Sequence, residues 1–160
     1  MIIWLTGQPC AGKTVLGDML KDEMEFGRGF TYKVQRVDGD DLRELTTNKD
    51  YSINGRVSNV NTAQKIAHYL HNQGEDVIVS LIAPYIDQRE EFKKHLGDEL
   101  IEVYVHTTET RERDHFKAIA YTPPKENFID IDTTDDTPEQ SLEKIKKAIS
   151  AKKENVFRRH

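Results

Sequence analysis

Short apolar runs separated by helix-like segments recur along the whole chain. They predict strands at residues 2–5, 32–37, 76–82, 100–105 and 128–132. The run at 76–82 is apolar enough to be buried on both faces, which is typical of a strand inside a parallel sheet. Strands that alternate with helices predict parallel pairing with right-handed crossovers. We therefore predict a three-layer α/β fold around a five-stranded parallel sheet.

Helices are predicted where apolar residues recur at helical intervals. The first follows residue 14, and others cover residues 59–73, 87–95, 108–117 and the segment after residue 137. Thr137 to Gln140 have the pattern of a capping box, with proline at the first helical position. Residues 42–55 are polar and irregular, so we predict an extended surface segment there. We take residues 1–151 as one domain and residues 152–160 as a basic tail that frays from it.

The segment between the first strand and the first helix predicts a phosphate-binding loop. It fits the pattern G-x-x-x-x-G-K-[ST], and its predicted contact residues are Gly7, Pro9, Cys10, Ala11, Gly12, Lys13 and Thr14. Loop amides and the helix N-terminus attract anions. Lys13 is predicted to reach the terminal phosphates of ATP, and the Thr14 hydroxyl to bind Mg²⁺. The alternative is a chance match in a glycine-containing turn, and the flanking strand and helix argue against it.

Composition narrows the class of protein. The chain has 160 residues and a formal net charge of −5, so no basic excess points to nucleic acid as a partner. No apolar run approaches the length of a membrane span, and no signal-peptide pattern precedes the first strand. Cys10 is the single cysteine. We therefore expect a cytoplasmic setting without internal disulfides, and we interpret Cys10 as a small residue in a tight turn in preference to a redox switch.

Asp38 and Asp40 follow the second strand and are the best candidates for acid–base chemistry. If the chain there is extended, residues two apart point the same way. One carboxylate would then hold Mg²⁺ or its water, while the other takes a proton from an acceptor hydroxyl. The third strand ends on Ser80 with no acidic residue, so Mg²⁺ would rely on Thr14 and this pair. The alternative interpretation is an acidic turn that caps the next helix.

The segment after this pair predicts an anionic acceptor. Arg43 and Arg56 suit phosphate or sulfate, because a guanidinium group grips such oxyanions with two parallel hydrogen bonds. Asn59 lies on the same segment, and Tyr51 is suited to stack on a base, although a partly buried ring is its plainer interpretation. Arg111 and Arg113 are further candidates for nucleotide contact. Glu109 and Arg113 also have the spacing of an ordinary helical ion pair.

The chain resembles the adenylylsulfate kinases, which phosphorylate the 3′-hydroxyl of adenosine 5′-phosphosulfate with MgATP. The most specific match is Val37-Asp38-Gly39-Asp40-Asp41-Leu42-Arg43, similar to the family's Asp-Gly-Asp-Asn-x-Arg element. Tyr51-Ser52, Arg56 and Asn59 follow. The segment Ile82-Ala83-Pro84-Tyr85 resembles the family's Ile-Ser-Pro-Phe/Tyr-Arg, and Arg113-Asp114 matches its Arg-Asp pair. Asp41, Ala83 and Ile86 stand where the family has Asn, Ser and Arg.

The resemblance implies a role for each matching residue. Asp40 would be the catalytic base and Arg113 would lie near the ATP base. The adenylylsulfate would be held by Arg43, Arg56 and Asn59, beside Asp38, Tyr51, Ile82, Ala83 and Pro84. The family's basic lid is shorter here, and Phe116, Lys117 and Lys125 are the candidates to replace its aromatic residue and lysine. The resemblance also implies a homodimer.

Two other functions compete with this prediction. The first is a kinase on the same scaffold that acts on another anionic nucleotide, such as a cytidine diphosphate derivative. The shorter lid and Ile86 favour it, because both alter acceptor contacts and leave ATP contacts unchanged. The second is a nucleotide-binding module without catalytic activity. The presence of Lys13, Thr14 and Asp40 together argues against that second alternative.

Overall fold

The computed structural model describes residues 1–29, 32–109 and 120–158. Within them, five parallel strands form one sheet in the order β2-β3-β1-β4-β5. The strands are β1 (Ile2–Thr6), β2 (Val34–Asp38), β3 (Asp76–Ser80), β4 (Leu100–His106) and β5 (Phe128–Asp132). The predicted α/β class and the five-stranded parallel sheet are confirmed.

Helices cover both faces of the sheet and make two separate cores. They are α1 (Lys13–Phe26), α2 (Gly39–Leu45), α3 (Ile53–Asn72), α4 (Ile86–Leu96) and α5 (Pro138–Phe157), with one 3-10 turn at Gly97–Glu99. Leu16 and Leu20 of α1 and Ile145 of α5 pack on one face of the sheet. Val60 and Ala63 of α3 pack on the other. Three layers result, as predicted.

The largest departure from the sequence prediction lies between residues 38 and 59. Residues 42–55 were expected to be extended, but α2 occupies residues 39–45 and α3 begins at Ile53 instead of 59. Both helix starts are fixed by side-chain caps: Asp38 accepts from the Asp40 amide, and Ser52 accepts from the Gly55 amide. Such caps satisfy orphan donors of the first turn and stabilise a helix even where apolar periodicity is weak.

Two smaller departures concern the ends of elements. The third strand ends at Ser80 instead of 82, because the chain leaves the sheet and Ala83 adopts a left-handed conformation (φ 43°). Helix α5 starts at the predicted capping box and continues to Phe157, so most of the segment expected to fray is helical.

The division into one domain and a tail stays a prediction. The predicted helix at 108–117 lies almost wholly outside the described residues.

The described residues contain no helix that is both long and apolar enough to cross a lipid bilayer. They also contain no group of three or more histidine, cysteine or acidic side chains placed to hold a metal ion by themselves.

Candidate active site

The loop between β1 and α1 takes its shape from backbone conformation. Gly7 has φ 149°, and a Cβ atom there would lie 2.0 Å from the Val105 carbonyl oxygen, so only glycine fits. Cys10 (φ 60°) and Gly12 (φ 102°) are also left-handed, and α1 starts directly after Gly12. Positive φ is uncommon for a non-glycine residue such as Cys10. The predicted strand–loop–helix context of the phosphate-binding pattern is therefore present.

Lys13 lies buried across this loop. Its side-chain ammonium donates to the Gln8 carbonyl over 2.6 Å, and the residue is only 8% exposed. Burial lowers the pKa of Lys13 to about 8, although the carboxylates of Asp38 and Asp40 and the nearby Cys10 oppose the shift. A desolvated cation is thus poised where the loop would receive a triphosphate.

A chain of hydrogen bonds joins the loop to the end of β2. The Thr14 hydroxyl donates to Asp38 Oδ2 over 2.8 Å, and Asp38 Oδ1 accepts from the Asp40 amide over 3.0 Å. Arg36 donates to Ser80 Oγ, which in turn donates to the Lys13 carbonyl. Ser80 therefore supports the loop from β3. Neither Arg36 nor Ser80 stood out in the sequence as a support of the site.

The acidic pair is arranged differently from the prediction. Asp38 is the last residue of β2 and caps α2, while Asp40 lies in the first helical turn. The two side chains therefore do not share one face of an extended strand, which the prediction assumed. Acidic residues are favoured in the first turn because they face the positive end of the helix dipole. Gly39 makes this turn possible, since a Cβ atom there would lie 2.7 Å from Leu81 Cβ. The capping interpretation is correct for Asp38, and it leaves the carboxylate beside Thr14.

One cavity of about 670 Å³ connects the loop with the acceptor candidates. We call residues 7–14 its phosphate end, and residues 43–59 together with 82–84 its acceptor end. Its walls contain most of the predicted site residues, namely Pro9, Cys10, Gly12, Lys13, Thr14, Asp38, Asp40, Arg43, Tyr51, Arg56, Asn59, Ile82, Ala83 and Pro84. Gly7 and Ala11 shape the loop without lining the cavity. Glu44, Asn48 and Lys49 line it as well, and the sequence analysis missed them.

Asp40 interacts electrostatically with a cation at each end of the cavity. Its carboxylate raises the pKa of Lys13 on one side and that of Arg43 on the other, in each case against the larger opposing effect of burial. The net pKa of Arg43 is lowered by that burial. An acidic side chain between a phosphate-loop lysine and an acceptor arginine is suitably placed to take a proton from an acceptor hydroxyl.

Arg43 and Arg56 hold the exposed Tyr51 ring at the acceptor end. The Arg43 guanidinium lies 4.2 Å from the ring centroid and donates to the carbonyls of Asn48 and Asp50. Arg56 lies 5.7 Å from the same centroid and donates to the Tyr51 carbonyl. The Tyr51 residue is 45% exposed. These contacts shape a loop whose aromatic ring and two cations suit a nucleotide with an anionic group.

Asn59 supplies an unused hydrogen-bond acceptor in the same wall. The residue is 6% exposed, and its amide nitrogen donates to the Gly39 carbonyl over 3.3 Å. Its Oδ1 atom is buried and has no partner among the described residues. A buried polar atom without a partner is costly, which is a reason to expect a ligand donor there.

Several predicted residues fall outside this arrangement. Arg113, Phe116 and Lys117 lie outside the described residues, as does Arg111, so their predicted roles stay predictions. Lys125 is described and exposed, and it does not line the cavity.

Comparison with known proteins places this scaffold in a family. The sequence profile of adenylylsulphate kinase matches residues 1–143. The chain belongs to the adenylylsulphate kinase family. An adenylyl-sulfate kinase of Staphylococcus epidermidis is 32% identical, with 90% of this chain and 81% of that protein covered. A cytidine diphosphoramidate kinase of Campylobacter jejuni is 30% identical, with coverage of 88% and 83%.

A solved structure supports the same fold. The Mycobacterium tuberculosis APS kinase, in complex with AMPPNP and APS, superimposes with a TM-score of 0.77. It covers 93% of this chain and 96% of its own chain at 20% sequence identity. At that identity the likeness concerns the fold, and the family assignment depends on the sequence matches.

Proposed function

We propose that this chain transfers the terminal phosphoryl group of ATP to the 3′-hydroxyl of adenylylsulfate. The observation that supports the proposal most strongly is the single cavity in which Lys13, Asp40 and the Arg43–Arg56 pair meet. Family membership supplies the reaction class. Candidates for what that reaction needs, a phosphate cradle, a base and an oxyanion-binding wall, line one open cavity.

At the phosphate end, the loop amides and Lys13 would bind the β- and γ-phosphates. The side-chain oxygen atoms of Thr14 and Asp38 fit a magnesium site, because this hard cation prefers oxygen ligands. The Thr14 hydroxyl oxygen and Asp38 Oδ2 already lie 2.8 Å apart. Mg²⁺ bound there would neutralise charge on the phosphates. Thr14 was predicted to share the metal with the pair Asp38 and Asp40, and we now propose Asp38 as its main protein partner.

Asp40 would accept the proton of the acceptor hydroxyl. It is the acidic residue that interacts with cations of both ends. Proton transfer to a positioned carboxylate is worth about a hundredfold or more in rate. Asp38 accepts hydrogen bonds from the Thr14 hydroxyl and the Asp40 amide, and we assign Asp38 to the metal and Asp40 to the proton.

At the acceptor end, Arg43 and Arg56 would bind the sulfate and phosphate oxygens while the base stacks near Tyr51. The unpartnered Oδ1 atom of Asn59 would accept a hydrogen bond from the acceptor. Residues 82–84 would close the opposite wall. Arg113, Phe116 and Lys117 keep their predicted places near the nucleotide, and a homodimer and a cytoplasmic setting remain part of the proposal.

A cytidine diphosphate derivative is the second candidate acceptor. The Campylobacter jejuni cytidine diphosphoramidate kinase is about as similar in sequence as the adenylyl-sulfate kinases. Ala83 and Ile86, which replace the family's Ser and Arg, lie in or next to the acceptor end. Both replacements remove polar groups from the acceptor side and leave the phosphate loop intact.

The acceptor is tested by direct competition. Purified protein is supplied with MgATP and equal amounts of adenylylsulfate and cytidine diphosphoramidate, and each is examined by mass spectrometry for the gain of one phosphoryl group. We expect phosphorylated adenylylsulfate as the main product. Phosphorylation of the cytidine compound alone would transfer the proposal to the second candidate. Phosphorylation of neither, with ATP still bound, would refute both.

A further inference from the structure

A buried cluster of ionic side chains lies behind the acceptor end, outside the residues assigned above. Arg89 and Lys93 of α4 both donate to Glu102 of β4, over 2.9 Å and 2.6 Å. The side chains are 2%, 7% and 2% exposed, respectively. Burial lowers the pKa of Lys93, but hydrogen bonds to Glu102 and Glu90 outweigh that effect and raise it, so the ammonium stays charged. Buried ions of this kind are expensive and weak evidence for stability alone.

The two cations of the cluster have different further partners. Lys93 donates to the Glu126 carbonyl over 3.0 Å, on the side of the segment that leads into β5. Arg89 donates through its two terminal nitrogens to the carbonyls of Ala83 and Thr122. One guanidinium group therefore joins the wall of the cavity to a segment distant in sequence, and only Arg89 of the two contacts that wall.

The Ala83 backbone needs such support. Its φ of 43° is left-handed, which is uncommon for a residue with a Cβ atom, and the residue is 1% exposed. A sparsely populated conformation persists where the surroundings over-determine it, and such positions concentrate at ligand sites. The Thr122 amide donates to the Pro84 carbonyl over 3.0 Å, so the same two segments are joined a second time.

Tyr121 extends the connection to the strand that leads into the phosphate loop. Its ring centroid lies 5.3 Å from the Arg89 guanidinium, and its hydroxyl lies 3.0 Å from Thr6 Oγ1. Thr6 donates to the Ile82 carbonyl over 2.7 Å, so the tyrosine is the donor to Thr6. Burial raises the pKa of Tyr121, which keeps that proton in place.

We propose that Arg89 is a positioning residue for the acceptor: it fixes the Ala83 carbonyl, and with it the backbone of residues 82–84 that walls the acceptor end. This inference rests on the proposed function. Lys93 pairs with Glu102 and Glu90 and does not touch the wall. Substituting the two cations one at a time therefore distinguishes a general effect on stability from a specific effect on acceptor binding.

The kinetic test compares Arg89→Met with Lys93→Met, which remove the two cations of the same carboxylate. We expect the acceptor KM of Arg89→Met to rise about tenfold or more, because a small displacement of the backbone of residues 82–84 would weaken its contacts with the acceptor. The ATP KM should stay within about twofold, since the phosphate loop is untouched. Lys93→Met should lose stability while both KM values stay near the wild-type values. Equal effects of the two variants on acceptor KM would overturn the proposal.

A conservative variant guards against loss of folding. Arg89→Lys keeps a cation beside Glu102, but a single ammonium cannot reproduce the planar fork that reaches both carbonyls. We expect a folded protein with an acceptor KM between those of the wild type and Arg89→Met. If Arg89→Lys has the acceptor KM of the wild type, acceptor binding does not need the guanidinium fork on the Ala83 and Thr122 carbonyls, and the proposal fails.

Amide hydrogen exchange gives a readout that does not need turnover. The Thr122 amide, bonded to the Pro84 carbonyl, should exchange about tenfold faster or more in Arg89→Lys than in Lys93→Met. Unchanged protection at Thr122 would refute the positioning role. If wild-type protein phosphorylates neither acceptor, the proposed function fails, and this exchange comparison still decides whether Arg89 holds the wall.

Discussion

The phosphate end of the cavity is shaped by the backbone, whereas the acceptor end is shaped by side chains. Residues 7–14 form one continuous stretch, a loop and the start of α1, and the left-handed positions and the close approach of Gly7 to Val105 set its path. The acceptor end is made of two separate segments, and each is held by a side chain that donates to its backbone, Arg43 to Asp50 and Arg89 to Ala83. A single substitution can therefore reshape the acceptor end, while the phosphate end tolerates change only where its backbone path is kept.

This difference bears on how the scaffold serves different acceptors. Relatives of this chain are named for two different acceptors, and both types are about 30% identical to it. A backbone-built phosphate site can stay constant while side-chain-built walls change around it. The following four predictions test that division, from the largest expected effect to the smallest.

Lys13→Ala should have the largest effect. Loss of the buried ammonium removes charge stabilisation from the transferred phosphoryl group, and we expect kcat to fall by about a thousandfold or more. The measurement is acceptor-dependent ADP release at saturating acceptor. Lys49→Ala is a control at the acceptor end, and we expect it to change KM more than kcat. Near-normal turnover by Lys13→Ala would refute the phosphate end as the ATP site.

Asp40→Asn should lower kcat by about a hundredfold because the proton acceptor is lost, while the protein still binds ATP through the phosphate loop. Asp41→Asn is the matched control: it makes the same change one residue later, in the same helical turn, at an exposed position. Turnover is compared with ATP affinity from calorimetric titration. If the two variants are equally active, Asp40 is not the base.

Arg56→Ala should affect the acceptor alone. Removing one charged hydrogen-bond donor costs about tenfold in acceptor KM, and the ATP KM should not change. Arg158→Ala, an exposed arginine at the end of α5, serves as the control for loss of positive charge. Equal increases in both KM values for Arg56→Ala would contradict the separation of the two ends.

The smallest effect concerns pH. The pKa of Lys13 in the ligand-free protein is about 8, so the ammonium that binds phosphate is lost as pH rises through that value. ATP affinity should then weaken about fourfold between about pH 7 and about pH 8.5. Lys13→Arg keeps its charge over this range, and its ATP affinity should not vary with pH. An unchanged wild-type affinity would mean that Lys13 does not titrate there.

The contrast between a site shaped by the backbone and a site shaped by side chains also explains which parts of the structure could be predicted from the sequence. Strands, the phosphate loop and the Thr137 capping box were found because each has a local signal that repeats or matches a pattern. Helix α2 was missed because its start depends on the Asp38 side chain, which also serves Thr14. The hydrogen bond from Arg89 to Glu102 was missed because charged residues on α4 have the pattern of ordinary surface residues. Only the tertiary fold brings that carboxylate to the helix.

The central claim is that both ends of the cavity act together on a nucleotide acceptor. The most direct measurement is ADP release from MgATP by the wild-type protein, with and without adenylylsulfate at about micromolar concentration. We predict strong stimulation by the acceptor, abolished in Lys13→Ala. ATP binding without stimulation by adenylylsulfate or cytidine diphosphoramidate would contradict the account, because the phosphate end would then work without an acceptor end.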